Sequence, residues 1–281
     1  RGLGDVYKRQ EVERVVTTGN HMAYLKIAEG CDKRCSYCII PKIRGRFRSV
    51  PMQELLNEAK RLASEGVKEL VLVAQETTLY GKDLTGEKQL PLLLHELCKI
   101  EGIEWIRLLY CYPEEITDEL IKVIKTEEKV CNYIDMPIQH SENRILQRMG
   151  RRTSREDLVA VIKKLRKEIP DITIRTTLIT GFPGESQEDH EGLMNFVEEC
   201  QFDRLGVFTY SPEEDTLAAT FEDQIDEEVK EERRDELMSL QQEISYEHTQ
   251  QLVGKTIKVM VEGYLFEDDI YVGRSYMDAP K

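Results

Sequence analysis

Six times between residues 23 and 210 a short β-rich run gives way to a longer stretch, most of these helical in pattern. "AYLKIA" (23–28), "KELVLVA" (68–74), "EWIRLLY" (104–110), "NYIDMPI" (132–138), "DITIRTTLI" (171–179) and "RLGVFTY" (204–210) read as strands. The intervening 51–66, 89–100, 117–126, 154–169 and 186–200 read as helices. Their punctuation agrees: Pro51 in a first turn, Gly66 as a stop, Thr117 as an N-cap, and Ser154 with Asp157 as an acidic capping box. Strands joined by helical crossovers lie parallel. Six such units in a row predict an α/β fold, a partial (β/α)6 TIM-like barrel. An open doubly wound sheet is the alternative. It would usually carry a dinucleotide glycine fingerprint after its first strand, and "EGCDKRC" is not one.

Beyond the barrel, 224–252 is long, charged and helical in pattern, and 255–264 and 269–276 then alternate like strands. This predicts a core over 22–243 and an incomplete small β-barrel over 244–281. Residues 1–10 have no apolar h-region and read as a non-native scar, with 11–21 as a linker remnant. With the last strand pattern unfinished, the chain reads as a fragment cut at both ends.

Hydrophobic residues make up 40%, enough for a sizeable core, and mean hydropathy is −0.47. No apolar run approaches the ~20 residues of a membrane span. Cys98, Cys111, Cys131 and Cys200 lie far apart, which suits a reducing, cytoplasmic setting rather than a disulfide framework. Net charge is −14, and much of it sits in "EDQIDEEVKEERRDE" (222–236), read as a solvated helix face. An acidic surface disfavours non-specific nucleic-acid binding and suits a basic protein partner.

Barrel active sites form at the carboxyl ends of strands. In order, those ends carry "GCDKRCSYC", "QETTLYG" (75–81), "YCYPEE" (110–115), "PIQH" (137–140), "TGFPGES" (180–186) and "TYSPEE" (209–214). The first holds Cys31, Cys35 and Cys38. A zinc site would need a fourth ligand, and none follows at zinc-finger spacing. A disulfide would leave an odd thiol. A [4Fe–4S] cluster on three thiolates would leave one iron open for a small molecule, whereas electron-transfer ferredoxins usually fill all four positions.

The pattern C-x3-C-x2-C, with Tyr37 before its last cysteine, resembles the radical S-adenosylmethionine superfamily. That resemblance implies a cluster whose open iron is chelated by S-adenosylmethionine, and reductive cleavage giving a 5′-deoxyadenosyl radical. With "GFPGE" and a β-rich terminal module, it narrows to the methylthiotransferases. "QETTLYG", "YCYP", "DMPIQH" and "YMDAPK" resemble the RimO type, which modifies an aspartate β-carbon of ribosomal protein S twelve. The alternative, a tRNA adenosine methylthiotransferase, typically shows "QNVNSYG" at the second loop. The resemblance covers roughly 22–281 and makes the terminal module a TRAM domain. Residues 254–281 carry four basic and five acidic residues, which favours a basic protein over tRNA. A reading from another class is a non-catalytic Fe–S or zinc protein that binds a partner.

By resemblance Tyr37 lies beside the cofactor's adenine, or simply packs under the loop. Gln75 and Glu76 stand near its methionine end, or cap their own loop. Arg175 would meet its carboxylate or ribose, or form a buried ion pair. Gly181 and Gly184 would let backbone approach the adenine, or make the turn. Gln139 and His140 would contact cofactor or substrate, or His140 would be a structural histidine. Arg44, Arg46 and Arg48 would attract the target carboxylate, or form a solvated loop. An electron donor is implied as a further partner. Full-length relatives hold an auxiliary [4Fe–4S] cluster on three further cysteines, and no cysteine precedes Cys31. This chain is therefore expected to cleave the cofactor without inserting sulfur.

Overall fold

The computed structural model describes residues 21–280. The readings of 1–10 and 11–21 lie, apart from His21, outside the described residues. The strands are β1 (Met22–Lys26), β2 (Ala28–Glu29), β3 (Arg48–Ser49), β4 (Glu69–Val73), β5 (Trp105–Leu108), β6 (Val130–Asp135), β7 (Thr173–Thr180), β8 (Arg204–Thr209), β9 (Val259–Leu265) and β10 (Ile270–Ser275). The central sheet runs β1-β4-β5-β6-β7-β8, every pair parallel. Its order never reverses, which separates a partial barrel from a doubly wound sheet.

The helices are α1 (Ile40–Arg44), α2 (Met52–Ser64), α3 (Lys82–Thr85), α4 (Leu90–Cys98), α5 (Asp118–Thr126), α6 (Asn143–Arg148), α7 (Arg155–Glu168), α8 (Gln187–Cys200) and α9 (Glu227–Gln250). Thr117 caps α5, and reciprocal capping boxes open α7 (Ser154, Asp157) and α8 (Ser186, Asp189). Helices α1, α3 and α6 have no counterpart in the sequence reading, because six residues or fewer show no helical period. Leu55, Ala59 and Leu62 of α2 join Leu25, Leu70 and Leu72 of the sheet in one core. Each buried leucine stabilises the fold by about 1.5–3 kcal/mol.

Two strands differ from the sequence reading in ways that shape the site. The run 23–28 does not stay in the sheet: Ala28 and Glu29 peel away to pair with Ser49 and Arg48, closing the base of the cysteine loop. The run 104–110 ends at Leu108, and Tyr110 turns the chain through a left-handed φ of 58°. Its N–H donates to Asp135 Oδ2 (3.2 Å).

The terminal module is represented by the antiparallel β9–β10 hairpin. Helix α9 runs unbroken across position 243, and the chain leaves it after Gln250. The hairpin docks at the amino end of the sheet. Arg274 pairs with fully buried Glu69, which also accepts from Arg107 Nε (2.7 Å). Met260, Tyr276 and Ala279 pack there against Trp105 and Tyr133. Among the described residues no helix is long and apolar enough to cross a membrane.

Candidate active site

The cysteines sit at the opposite, carboxyl end. A cavity of about 610 Å³ is lined there by Cys35, Tyr37, Cys38, Gln75, Tyr112, Asp135, Gln139 and Arg175. A neighbouring one of about 370 Å³ touches Cys31, Cys38, Gln75 and Tyr112. Both volumes suit a small-molecule site. A groove of about 840 Å³ between β8 and α9 is larger and shares Arg175, Ala279 and Pro280, but no cysteine lines it, so size alone would point to the wrong place.

Backbone contacts hold the cysteine loop from two sides. Gly30 has φ 81°, and a Cβ there would lie 2.2 Å from the Arg46 carbonyl oxygen. Gly30 N–H donates to Gln75 Oε1 (2.8 Å), and Cys31 N–H to the Gly45 carbonyl (3.1 Å). Ser36 N–H donates to the Met149 carbonyl (2.9 Å) and its hydroxyl to that of Arg148 (2.8 Å). Gly150, at φ 74°, brings its Cα so close to the loop that a Cβ would lie 2.7 Å from the Arg34 carbonyl oxygen.

Cys31 and Cys35 are buried and Cys38 half-buried. Burial pushes the Cys31 thiol up to about 11, although Lys33 N–H donates to its sulfur (3.4 Å), and burial also raises Cys38. Thiols in such surroundings ionise when a metal takes them as ligands. Among the described residues no three His, Cys, Asp or Glu side chains are gathered to hold a single metal ion. A cubane takes each thiolate at a separate iron corner, so three spaced thiols suit it better than a zinc tetrahedron. Next to them the buried Arg151 leaves Nε and Nη1 without partners, donors that an anionic cluster could use. The residues present therefore fit a [4Fe–4S] cluster.

The sequence-selected residues divide into two groups. Tyr37, Gln75, Gln139 and Arg175 line the larger cavity. Tyr37 meets Phe182 edge-on at 6.4 Å, and burial raises its hydroxyl well above the ordinary value. Gln139 holds a left-handed φ of 75°, and its N–H donates to the Thr177 carbonyl (2.9 Å). Arg175 Nη1 donates to Asp135 Oδ1 (2.6 Å); burial opposes its charge, but Asp135 more than offsets this and raises it.

The rest lie elsewhere. Glu76 lines neither cavity: it is 1% exposed and stands 3.7 Å from Lys33 Nζ, a strut beneath the cysteine loop. Burial pushes its carboxyl up to about 7 against the pull of Lys33. Gly181 and Gly184 face Lys230 and Asp223, where a Cβ would lie 2.2 Å from Lys230 Cγ and 2.4 Å from Asp223 Oδ2, so they make the turn. His140 is fully buried; its Nδ1 accepts from Glu142 N–H (3.0 Å) and its Nε2 lies 3.5 Å from Glu185. Arg44 pairs with Glu29 (3.2 Å), Arg48 donates to two backbone carbonyls, and the exposed Arg46 reaches Asp32 (3.5 Å). These three form a basic rim outside both cavities.

Sequence reasoning passed over Asp135, Tyr112, Lys33 and Arg151. Asp135 could have been found as an acid at the end of an apolar strand. Arg151 could not: it follows a helix too short to predict and is brought to the loop only by tertiary packing.

The family model described as the radical SAM superfamily matches residues 25–197, more than half of the chain. The chain belongs to the radical SAM superfamily. Membership implies a [4Fe–4S] cluster and S-adenosylmethionine. A ribosomal protein uS12 methylthiotransferase RimO of Lachnoclostridium phytofermentans is 62% identical over 276 residues, covering 98% of this chain and 63% of that protein. The protein of the same name from Clostridium perfringens is 57% identical, covering 95% of this chain and 60% of its own. The chain thus spans less than two thirds of the curated relatives it matches. Coproporphyrinogen III oxidase (HemN) from Escherichia coli shares the fold, with TM-score 0.61, 18% identity, and coverage of 81% of this chain and 54% of that one. Methylornithine synthase (PylB) does too, with TM-score 0.55, 17% identity, and coverage of 79% and 64%.

Proposed function

We propose that this chain is the radical core of a RimO-type methylthiotransferase, whose whole protein adds a methylthio group to the β-carbon of an aspartate of ribosomal protein S twelve. The observation that carries this reading is the 62% identity to a RimO protein along 98% of the chain. Cys31, Cys35 and Cys38 would hold the cluster, with the fourth iron left open for S-adenosylmethionine. When bound, cluster and cofactor supply one-electron reductive cleavage of the sulfonium.

The remaining work falls to this chain's own side chains. Gln75, Gln139 and the Arg175–Asp135 pair give the cavity polar walls that would orient the cofactor's amino, carboxylate and ribose groups. Tyr37 offers an aromatic face for the adenine. Phe182, with Tyr210 edge-on at 5.2 Å and Phe221 at 6.2 Å, forms an apolar wall behind Tyr37 that would exclude water from a reactive carbon. The exposed Arg44, Arg46 and Arg48 rim would steer an acidic target residue to the mouth. Sulfur insertion belongs to the whole protein with its auxiliary cluster. An electron donor and a cytoplasmic setting complete the reading, and tRNA is the less favoured substrate because the terminal hairpin is not basic.

Anaerobic reconstitution with iron and sulfide tests it. Nearly four irons per chain and release of 5′-deoxyadenosine under reductant are expected; zinc retained without iron overturns the enzyme reading. Mass spectrometry of S twelve and tRNA from a deletion strain separates the substrates, and loss of the tRNA modification alone overturns the ribosomal assignment.

A further inference from the structure

The groove between β8 and α9 holds two polar groups that the fold leaves unserved. Gln241 of α9 is 3% exposed. Its Nε2 donates to the Phe202 carbonyl (2.7 Å) and to the Ser245 hydroxyl (2.9 Å). Those bonds fix the amide and leave Oε1 buried with no hydrogen-bond partner among the described residues. Tyr133 of β6 is 1% exposed, and the Arg107 guanidinium carbon lies 4.6 Å from its ring centroid. Its hydroxyl is buried and likewise without a partner among the described residues. Both residues line the groove. Buried polar groups are nearly always hydrogen-bonded, so an open acceptor and an open hydroxyl in one groove call for a ligand that carries a donor and an acceptor. A peptide backbone carries both.

The main chain beside them is open as well. β8 ends the sheet order, so one of its edges has no strand partner among the described residues. Its pairing with β7 runs from Arg175–Arg204 to Thr180–Thr209 without a register shift, and it contains no proline. Its one charge, Arg204, is already paired with Asp278 (2.8 Å). Natural edge strands are usually blocked by a bulge, a proline or a free charge, and β8 carries none of these. An edge of this kind takes up an extended peptide as an added strand. Asp235, Ser239 and Gln242, at helical spacing on α9, form the opposite wall. Charge argues against a nucleic acid here. Arg175 and Arg204 are the only cations lining the groove among the described residues, and each is paired with an aspartate, so no free cation awaits a phosphate.

We propose that this groove binds an extended segment of the protein substrate, added as a strand to β8, with Gln241 accepting from its backbone and Tyr133 donating to it. The proposal rests on reading the chain as part of an enzyme that acts on ribosomal protein S twelve. The groove shares Arg175, Ala279 and Pro280 with the cavity beside the cysteines, so a segment held along β8 leads into that cavity.

The test uses the 281-residue chain, reconstituted anaerobically, with labelled S twelve followed by fluorescence anisotropy and backbone protection by hydrogen–deuterium exchange. Bound S twelve should slow exchange within 204–209. Tyr133→Phe removes a hydroxyl that no described protein group uses, so its Tm should match wild type while its affinity for S twelve falls about twofold to tenfold. Gln242→Trp, at an exposed position on the α9 wall, fills the groove and should weaken S twelve binding at least about tenfold. Lys60→Trp, on the exposed face of α2, should leave the affinity unchanged. If Gln242→Trp does not fold, Ser239→Arg on the same wall takes its place, and Tyr133→Phe decides independently of both. An affinity unmoved in the groove variants overturns the proposal and leaves the two open groups to water. Failure of the wild-type chain to bind S twelve overturns it too, and if tRNA binds instead, the ribosomal reading falls with it. S twelve bound with 204–209 unprotected removes this proposal alone.

Discussion

Glu185→Gln removes the charge at the centre of the fifth loop. Glu185 is 2% exposed and accepts from Arg233 Nη1 (2.9 Å), Thr180 hydroxyl (3.3 Å) and Phe182 N–H (3.3 Å). It ties α9, β7 and the loop that presents Phe182 to a single carboxylate. Glutamine keeps the shape but leaves Arg233, 7% exposed, without a counter-charge. Breaking a buried pair from one side costs about 3–5 kcal/mol. At about 2–4 °C per kcal/mol for a chain of this size, Tm should fall by about 6–20 °C. Circular dichroism at pH 7 measures it. A drop of less than about 2 °C would show that water or a rearranged Arg233 compensates, and would refute the buried-pair argument. A pH arm checks the sign. Burial raises the Glu185 carboxyl, but His140, with Nε2 3.5 Å away, and the Arg233 charge outweigh burial and hold it below its ordinary value. A depressed carboxyl contributes stability that is present above its unfolded value and lost as pH falls through its folded one. Wild type should therefore lose more stability than Glu185→Gln when pH drops below about 4.5.

Single changes of Cys31, Cys35 or Cys38 to Ser should remove most of the iron taken up on reconstitution, while Cys111→Ala, at a buried site on the core side, should keep it; iron-to-protein ratios decide. Gly150→Ala forces a left-handed Cβ against the Arg34 carbonyl, costing about 1–2 kcal/mol in backbone strain alone, with a lowered Tm and reduced iron loading as readouts. Arg175→Ala should weaken S-adenosylmethionine binding at least about tenfold, about 1.4 kcal/mol, by calorimetry on reconstituted protein; unchanged affinity would confine Arg175 to pairing with Asp135.

The winding of the sheet was legible because periodicity is local. Apolar runs of strand length, helices with caps and the absence of a glycine fingerprint were enough to predict six parallel strands. The site was legible only where chemistry is encoded by spacing. Cys31, Cys35 and Cys38 announce themselves within eight residues, and Gln75, Gln139 and Arg175 follow from their places at or within strands. Side-chain direction is not encoded that way. Gln75 and Glu76 are adjacent in the loop just beyond β4, yet Gln75 lines the cavity and Glu76 lies beneath the loop towards Lys33. Gly181 and Gly184 make the turn at positive φ, and what they approach is Lys230 and Asp223 rather than the cavity.

The sequence by itself determined the fold class, the place of the cysteine loop at the carboxyl end of the first strand, and three thiols where single-metal sites use four ligands. Each depends on residues near one another along the chain. Tertiary structure alone decided which charges are left over. Arg107, Arg233 and Arg274 find carboxylates 38, 48 and 205 residues away, and Arg151, packed against a loop more than a hundred residues upstream, does not. Burial makes that difference matter, since a guanidinium in water needs no partner and one in a protein interior does.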